Sequence, residues 1–415
     1  MPSDFTPPAA ALASIQKGDL CAGCGACAGL FPDQIKMDQT PPGYLRPRQT
    51  DALSPQQEAT FAAICPALGQ KVAPDGRQDP ALWGPYTEMM TGHATDPALR
   101  HAGASGGGLS ALLDHLIKAG VVDAIVQTGA SAELPIGNEM VISTTTEAIR
   151  VAAGSRYAPS APLEHLAAQV AEHLESGRRF AFVGKPCDAA ALRARCTQDA
   201  DTAAAFPVIL SFFCAGVPSH TGGEAVLAAL GTTLAETASF RFRGNGWPGQ
   251  ATAIAHDGTE RAMSYHDSWG GILSKHVQHR CKICADGTGV AADIVCADAW
   301  ESDAAGYPVF EEAPGISLIV ARTALGAELI AQARSAGAIE TDPFDPEALA
   351  AIQPGQRERR RALLARLSAL KLAGRPTPRY EGLQLWAAAR QNPLTRNLKN
   401  FLGMLRRALR PRKTP

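Results

Sequence analysis

The residues of this chain that could do chemistry are, first of all, its ten cysteines, which fall into groups. Three form the segment Cys21-Ala-Gly-Cys24-Gly-Ala-Cys27, and a distant fourth precedes a proline at Cys65-Pro66. Thiols at successive spacings of three, with glycines between them, are typical of a loop wrapped around a 4Fe-4S cluster, because glycine allows close approach and unusual dihedrals. Zinc sites usually present two separated pairs, so zinc is the rival interpretation, and buried cysteines without metal are a third. The pattern predicts a cluster held by Cys21, Cys24, Cys27 and Cys65.

A second group is spread along the chain. Cys281-Lys-Ile-Cys284 is one pair, and Cys187 and Cys214 each follow an apolar segment that reads as a strand. Strand carboxyl ends are where open α/β sheets build their sites, so these four thiols are predicted to hold a second 4Fe-4S cluster. The alternative is that Cys187 is a reactive or ordinary loop residue and Cys214 belongs to the core. The two cysteines left over are interpreted as buried fillers: Cys196 and Cys296.

Three small-residue segments could hold a flavin. A glycine-rich turn opens an amphipathic helix at Gly108, and amides at a helix N-terminus favour phosphate. In the second segment, Arg156 could pair with a diphosphate and Tyr157 could stack on a planar ring. The third segment offers the guanidinium of Arg243 and the indole of Trp247. Each is equally interpretable as a tight or surface turn. The candidate residues are Ser105, Gly106, Gly107, Gly108, Ser155, Arg156, Tyr157, Arg243 and Trp247.

These motifs follow one another in a characteristic order, together with Val183-Gly-Lys-Pro-Cys187-Asp and Ala292-Asp-Ile-Val-Cys-Ala-Asp298. Over roughly residues 15–340 the chain resembles the beta subunit family of coenzyme F420 hydrogenases and dehydrogenases, which includes ferredoxin-dependent chlorophyll-pathway reductases. The resemblance implies an FAD enzyme with an α/β body. It also implies that Cys187, Cys214, Cys281 and Cys284 form a separate ligand set, because relatives without the ferredoxin-like start still carry one cluster. By the same resemblance, Lys185 is expected near the flavin, at a position where many relatives have a small residue or threonine.

The elements that must position these residues are predicted to form an α/β body within a chain that is α+β overall. Strands alternate with helices along this body, which predicts a mostly parallel sheet. We expect strands at 123–126, 180–183, 208–213 and 317–321. The predicted organisation is a loose leader over 1–15, a ferredoxin-like 4Fe-4S module over 16–80, an FAD and second-cluster domain over 81–345, and a basic helical tail over 346–415. No apolar run is long enough to cross a bilayer and no secretory signal is evident, so a cytoplasmic location is expected.

The charge is uneven along the chain. The net charge is −1, but from Arg357 onward there are 16 Lys and Arg residues and 2 Asp and Glu residues. The end of the chain predicts a basic amphipathic helix that could lie on an anionic membrane surface, dock a protein partner or pack on its own acidic body. Aromatic residues are too sparse to suggest nucleic acid.

The function expected is an oxidoreductase that relays electrons from ferredoxin or a redox partner subunit through two 4Fe-4S clusters to FAD and then to a small organic acceptor. His266 is the candidate proton donor, although a lone histidine is often structural. A non-catalytic electron-transfer subunit is the second hypothesis, and a zinc-stabilised binding module is the third. The substrate and a homo-oligomeric state stay open.

Overall fold

A computed structural model describes residues 9–300 and 311–410. Its centre is an eight-stranded sheet in the order β14-β4-β13-β12-β8-β7-β5-β6, accompanied by a three-stranded sheet β11-β10-β9 and two two-stranded sheets, β1-β2 and β15-β3. The strands are β1 Ile35–Thr40, β2 Tyr44–Gln49, β3 Gly69–Lys71, β4 Glu88–Ala94, β5 Ala124–Ala130, β6 Asn138–Ser143, β7 Phe180–Gly184, β8 Val208–Phe212, β9 Thr237–Arg241, β10 Gln250–Ala255, β11 Glu260–Ser264, β12 Ile294–Asp298, β13 Ser317–Ala321, β14 Ile339–Pro343 and β15 Arg379–Glu381.

The large sheet is mixed, which corrects the expectation of a mostly parallel one. The four central strands, β12, β8, β7 and β5, run parallel to one another. The outer strands β6, β13, β4 and β14 all pair antiparallel. The fully buried central strands carry near-continuous apolar runs, as parallel strands covered on both faces do. The antiparallel edges were not expected: β6 turns back on β5 after a short connection over 131–137, and β4, β13 and β14 are brought together from distant parts of the chain.

Helices cover both faces of this sheet. They are α1 Ala10–Gly18, α2 Ala26–Leu30, α3 Pro55–Ile64, α4 Pro97–Ala102, α5 Gly108–Lys118, α6 Thr146–Ala152, α7 Leu166–Ser176, α8 Pro186–Gln198, α9 Ala200–Ala205, α10 His220–Ala229, α11 His279–Lys282, α12 Ala324–Ser335, α13 Leu349–Ile352, α14 Pro354–Leu372, α15 Leu385–Arg390 and α16 Leu394–Leu409. A π-helical turn spans His266–Ile272, and short 3-10 turns span Leu273–His276 and Pro346–Ala348. No helix within the two described stretches is both long and apolar enough to span a bilayer.

The N-terminal leader is shorter than expected. Residues 1–8 lie outside the described residues, but α1 already begins at Ala10, and its Leu12 and Ile15 are buried. These two side chains pack in the same apolar cluster as Phe61 of α3 and Leu363 of α14. The leader is therefore not loose from residue 10 onward, because its apolar side chains close the core of the first module.

The basic C-terminal segment is likewise not a detached tail. Strand β15 pairs in parallel with β3, directly after the first cysteine module. Arg360 of α14 is buried and donates to the carbonyl oxygens of Ala81, Ala285 and Leu383, the first at 3.0 Å. Part of the charge of the predicted basic tail is thus buried against the body of the chain, and β15 joins this segment to the N-terminal module.

Candidate functional site

The first cysteine group lies inside the N-terminal module. Its first three members run from the end of α1 into α2, and the fourth is the residue that ends α3. Gly23 and Gly25 have φ of 77° and 84°, which lets the loop turn sharply between the thiols. A small cavity is closed by apolar side chains and is lined by all four cysteines: Cys21, Cys24, Cys27 and Cys65.

The electrostatics of this group favour a compensating cation. Burial raises the pKa of each of the four thiols, and the neighbouring cysteines raise the pKa of Cys24, Cys27 and Cys65 further. The pKa of Cys65 reaches about 12. Thiols in such a place stay protonated by themselves, whereas a bound metal removes the proton outright. The donor set therefore fits a metal centre.

The second group comes together from three distant parts of the chain. Cys187 lies in the first turn of α8, Cys214 lies just beyond β8, and Cys281 and Cys284 lie at α11. Burial raises the pKa of Cys214 most, and the neighbouring Cys281 raises it next. Cys284 also raises it, and the pKa of Cys214 reaches about 12. Cys214 and Cys284 in turn raise the pKa of Cys187. A Cβ on Gly216, two residues beyond Cys214, would lie 3.4 Å from the Cβ of Cys281. Folding has thus gathered the four thiols that sequence spacing left apart.

Neither group is a compact single-ion site. Among residues 9–300 and 311–410, no three His, Cys, Asp or Glu side chains are close enough together to hold one metal ion. A single zinc ion and a four-iron cluster differ in iron content, so metal analysis distinguishes these two interpretations of the thiols.

Two buried side chains connect the cysteine groups. Arg280 donates from Nη2 to the carbonyl oxygen of Pro66 at 2.8 Å and from Nη1 to the Tyr380 hydroxyl at 2.8 Å. Gln278 Nε2 is 3.3 Å from the carbonyl oxygen of Ala22 and 3.6 Å from Cys281 Sγ. Burial lowers the pKa of Arg280, but Tyr380 and the thiols of the second group outweigh it and raise that pKa overall. The wall between the two groups therefore carries a permanent positive charge.

A cavity of about 740 Å³ opens beside the second group. That volume lies within the range of sites for large organic ligands. Cys214 and Cys281 are part of its wall, whereas Cys187 and Cys284 are not among the lining residues. The predicted flavin and proton-donor residues in the wall are Ser105, Gly107, Gly108, Ser155, Arg156, Tyr157, Lys185, Arg243 and His266.

Two predicted flavin residues do not reach the cavity. Gly106 has φ of 68° and lies against the backbone of Gly315, where an added Cβ would be 2.6 Å from the carbonyl oxygen. Trp247 is buried behind the cavity wall, with its ring centroid 4.3 Å from that of Trp300. Both residues support the wall from behind. The sequence did not reveal this, because a turn motif does not show which of its residues faces the cavity.

Arg243 is the central cation of this cavity. It is 2% exposed, its Nη1 donates to Asp298 Oδ2 at 2.9 Å and its Nε donates to the carbonyl oxygen of Pro248 at 2.6 Å. Its guanidinium also lies 4.5 Å from the ring centroid of Tyr265 and 5.0 Å from that of Trp300. Its Nη2 is buried and has no hydrogen-bond partner among the described residues. A buried donor without a partner is costly, so the site fits a ligand that supplies an acceptor atom there.

Lys185 is a second buried cation at the boundary between the cavity and the thiols. Its Nζ donates to Asp188 Oδ2 at 2.7 Å and to the Ser160 hydroxyl at 2.8 Å. Burial lowers the pKa of Lys185, but Asp188 and the thiols of Cys187 and Cys214 outweigh it and raise that pKa overall. The ammonium is therefore held charged and fixed in position.

The sequence interpretation missed the contribution of α14 to the site. Gln356 Nε2 donates to the carbonyl oxygen of Cys214 at 3.0 Å, and Arg359 donates from Nη2 to the same oxygen at 2.5 Å and from Nη1 to that of Ala215 at 3.2 Å. These contacts hold the loop that carries Cys214. The only available signal was the excess of arginine in this segment, which predicts a basic helical tail without indicating a contact with the Cys214 loop.

Comparisons with known proteins agree with this geometry. Two family models described as coenzyme F420 hydrogenase/dehydrogenase, beta subunit, match the chain. The model of the N-terminal part matches residues 89–167, and the model of the C-terminal part matches residues 177–347. Together they cover more than half of the chain. The chain belongs to this family.

Two relatives of the F420 hydrogenase/dehydrogenase beta subunit family can be placed beside it. The coenzyme F420 hydrogenase subunit beta of Methanothermobacter thermautotrophicus is 22% identical over 303 residues, which are 71% of this chain and 99% of the relative. A chain of the F420-reducing [NiFe] hydrogenase complex from Methanosarcina barkeri superposes with a TM-score of 0.51 at 20% identity, covering 69% of this chain and 96% of that chain. The second likeness confirms the α/β fold.

The family matches divide the site. Cys187, Cys214 and the pair at α11 lie within residues 177–347, as do Arg243 and Lys185. The first cysteine group and helix α14 lie outside both matched ranges. The second group therefore lies within the family part of the chain, whereas α14 brings residues from outside the matched ranges to the cavity wall, among them Gln356 and Arg359.

Proposed function

We propose that this chain is an iron–sulfur flavoprotein oxidoreductase that relays electrons from ferredoxin or a partner subunit through two 4Fe-4S clusters and FAD to an organic acceptor. The observation that carries the proposal is that Cys214 and Cys281 share one cavity wall with Arg243, Lys185 and Tyr157. A cluster at the second group would then directly adjoin a ligand in the cavity. Such groups, when bound, supply single-electron transfer and its conversion into two-electron chemistry.

The cavity residues would bind and orient the flavin. Arg243 Nη2 offers a buried donor, and the aromatic side chains of Tyr157, Tyr265 and Trp269 pack against one another in the wall, with ring centroids of Tyr157 and Trp269 4.7 Å apart. The glycine turn at Gly107 and Gly108 opens α5, whose first amides favour a phosphate. Aromatic planes exclude water, and the fixed cations favour a reduced, negatively charged ligand.

The first group would serve as the entrance for electrons. Its thiols are separated from the second group only by the wall that contains Arg280 and Gln278. His266 lines the cavity and stays our candidate for donating a proton to the acceptor. A small organic acceptor would reach the ring through the same cavity.

Iron and flavin content test the proposal with matched serine variants. The anaerobically purified chain should be brown and hold about eight irons and one flavin, because each cubane contains four irons. Cys65→Ser should lose about four irons of the first cluster, and Cys214→Ser should lose about four of the second. Cys196→Ser is the control, because Cys196 is half-buried in α8 outside both groups and should keep the full content. A colourless zinc protein, or equal iron in all variants, would refute the two-cluster proposal.

The second candidate is a non-catalytic electron-transfer subunit, favoured by the similarity to a hydrogenase beta subunit. Turnover of the isolated, loaded chain with reduced ferredoxin or a dye distinguishes the two. Reduction of an acceptor by the chain alone supports the enzyme, and activity only after a partner subunit is added supports the electron-transfer subunit.

A further inference from the structure

Helix α16 has one broad apolar face, of which the body covers only a part. Met404 is 2% exposed and packs in the cluster that contains Leu363 and Leu367 of α14, with Phe401 and Leu405 partly buried against it. Asn397 Nδ2 fixes the start of the helix by donating to the carbonyl oxygen of Ala389 at 2.9 Å. The chain itself therefore covers the inward side of the helix, and this packing holds the helix on the body.

The rest of the apolar face is open. Leucines recur on it at a spacing of four and again seven residues later, so they form a stripe along one side of the helix. More than half of the large apolar side chains that are exposed in the described part of the chain lie between residues 372 and 409. We call the following residues the leucine stripe, with their exposed fractions: Leu394 86%, Leu398 58%, Leu402 52% and Leu409 68%. Trp386, at the start of α15, is 71% exposed.

The charge carried by the segment of the stripe is positive. From Gln384 to Arg410 the sequence has six Lys and Arg residues and no Asp or Glu residue. Arg396 pairs with Glu358 at 2.5 Å, but no ion pair within residues 9–300 and 311–410 involves Lys399, Arg406 or Arg407. The positive charge of α16 continues toward the large cavity, whose wall includes Arg366. Burial lowers the pKa of Arg366 most, and the charge of Arg407 lowers it further, because the two arginines are close enough to interact.

We propose that the leucine stripe and Trp386 dock the chain on an anionic lipid surface, with the cations of α16 at the headgroups. The chemistry favours lipid over an acidic protein. The leucines project from a convex helix, whereas a protein partner would have to offer a groove that fits them. Interfacial helices combine an apolar stripe of Leu and Trp with a Lys- and Arg-rich flank, and an aromatic side chain with an exposed edge suits the headgroup layer.

Binding to vesicles of stated composition tests the proposal on the full, cofactor-loaded chain. We expect co-sedimentation with phosphatidylcholine vesicles that contain about 30% phosphatidylglycerol, much weaker binding to pure phosphatidylcholine vesicles, and release at about 0.5 M salt, because cation–headgroup attraction is screened. Leu398→Ser with Leu402→Ser should weaken binding at least about tenfold, since each removes apolar area from the lipid. Arg406→Gln with Arg407→Gln should weaken it about tenfold or more.

Leu372→Ser is the matched control. Leu372 is 70% exposed at the end of α14, outside the stripe, so its loss should leave vesicle binding unchanged. All the substituted side chains are exposed, and iron and flavin content should equal that of the parent chain, which separates this test from the test of the proposed function.

Absence of binding to the anionic vesicles would overturn the proposal. A concentration-dependent dimer that the stripe variant abolishes, without vesicle binding, would assign the stripe to a second copy of the chain and would also overturn it. Equal binding to neutral and anionic vesicles would overturn the role of the cations.

Discussion

Replacing Gly29 by alanine should separate the first cysteine module from the body. Gly29 lies in α2, two residues after Cys27, and its added Cβ would be 1.9 Å from the carbonyl oxygen of Leu163 and 2.9 Å from the amide nitrogen of Leu166. Ordinary contact begins near 3.4 Å, so the two backbones must move apart by about 1.5 Å. That movement also stretches the hydrogen bond from the Leu163 amide to the carbonyl oxygen of Cys24, now 3.1 Å.

The expected cost is about 3 kcal/mol, the upper end for overpacking, because backbone rather than a flexible side chain must yield. With an unfolding entropy of about 2.1 cal/mol/K per residue, a chain of 415 residues that unfolds as one unit would lose about 3–4 °C in Tm. Calorimetry on the loaded protein measures the shift, and iron analysis should show preferential loss from the first cluster.

Gly403→Ala is the control for this substitution. Gly403 lies in the middle of α16, and its added Cβ would meet nothing closer than Arg407 Nη2 at 3.9 Å. This substitution should stabilise the chain by up to about 1 kcal/mol, because alanine is the better helix former. A Gly29→Ala protein with the Tm and iron content of the parent would refute the close packing of α2 against the segment that precedes α7.

Three further perturbations follow from the buried charges. Asp298→Asn leaves Arg243 without its counter-ion and should cost about 3 kcal/mol in denaturant unfolding, part of which the double variant with Arg243→Met recovers. Burial lowers the pKa of His115 below its ordinary 6.5, so its contribution to the free energy of unfolding is fully present above pH 6.5. Below pH 6.5 that free energy falls by up to about 1.4 kcal/mol per pH unit until the folded pKa is reached. His115→Gln should flatten this slope, and an unchanged slope contradicts the assignment. In a chain loaded with the two proposed clusters, Arg280→Met should lower the potentials of both by roughly 50 mV in an EPR-monitored titration, whereas Arg280→Lys should preserve them. A shift at one cluster only would show that Arg280 does not lie between them.

The family and the α/β class could be predicted from local patterns. Thiol spacing in the segment from Cys21 to Cys27, the glycine turn before α5 and the apolar runs of β7 and β8 are short-range features, and short-range features survive in sequence because they depend only on neighbouring residues. The family comparison confirms the resemblance that these motifs suggested. The individual roles of the site residues stay predictions.

Several features depended on contacts between distant residues. The antiparallel edge formed by β13, β4 and β14 follows from the pairing of strands that are far apart in the chain. Helix α14 became part of the site because Gln356 and Arg359 reach the Cys214 loop across more than 140 residues of chain. An arginine in sequence shows only its charge, and whether that charge is solvated or buried is decided by what folds around it.

The sequence by itself determined which side chains could supply thiol ligands, since only cysteine carries a thiol, and it predicted how they group from their spacing and from the family resemblance. Only the tertiary structure decided that Arg280 joins the two groups, that Arg243 has a buried nitrogen without a partner among the described residues and that part of the apolar face of α16 stays open. The physical reason is that burial, pairing and exposure are properties of surfaces brought together by folding, and no local pattern along the chain records them.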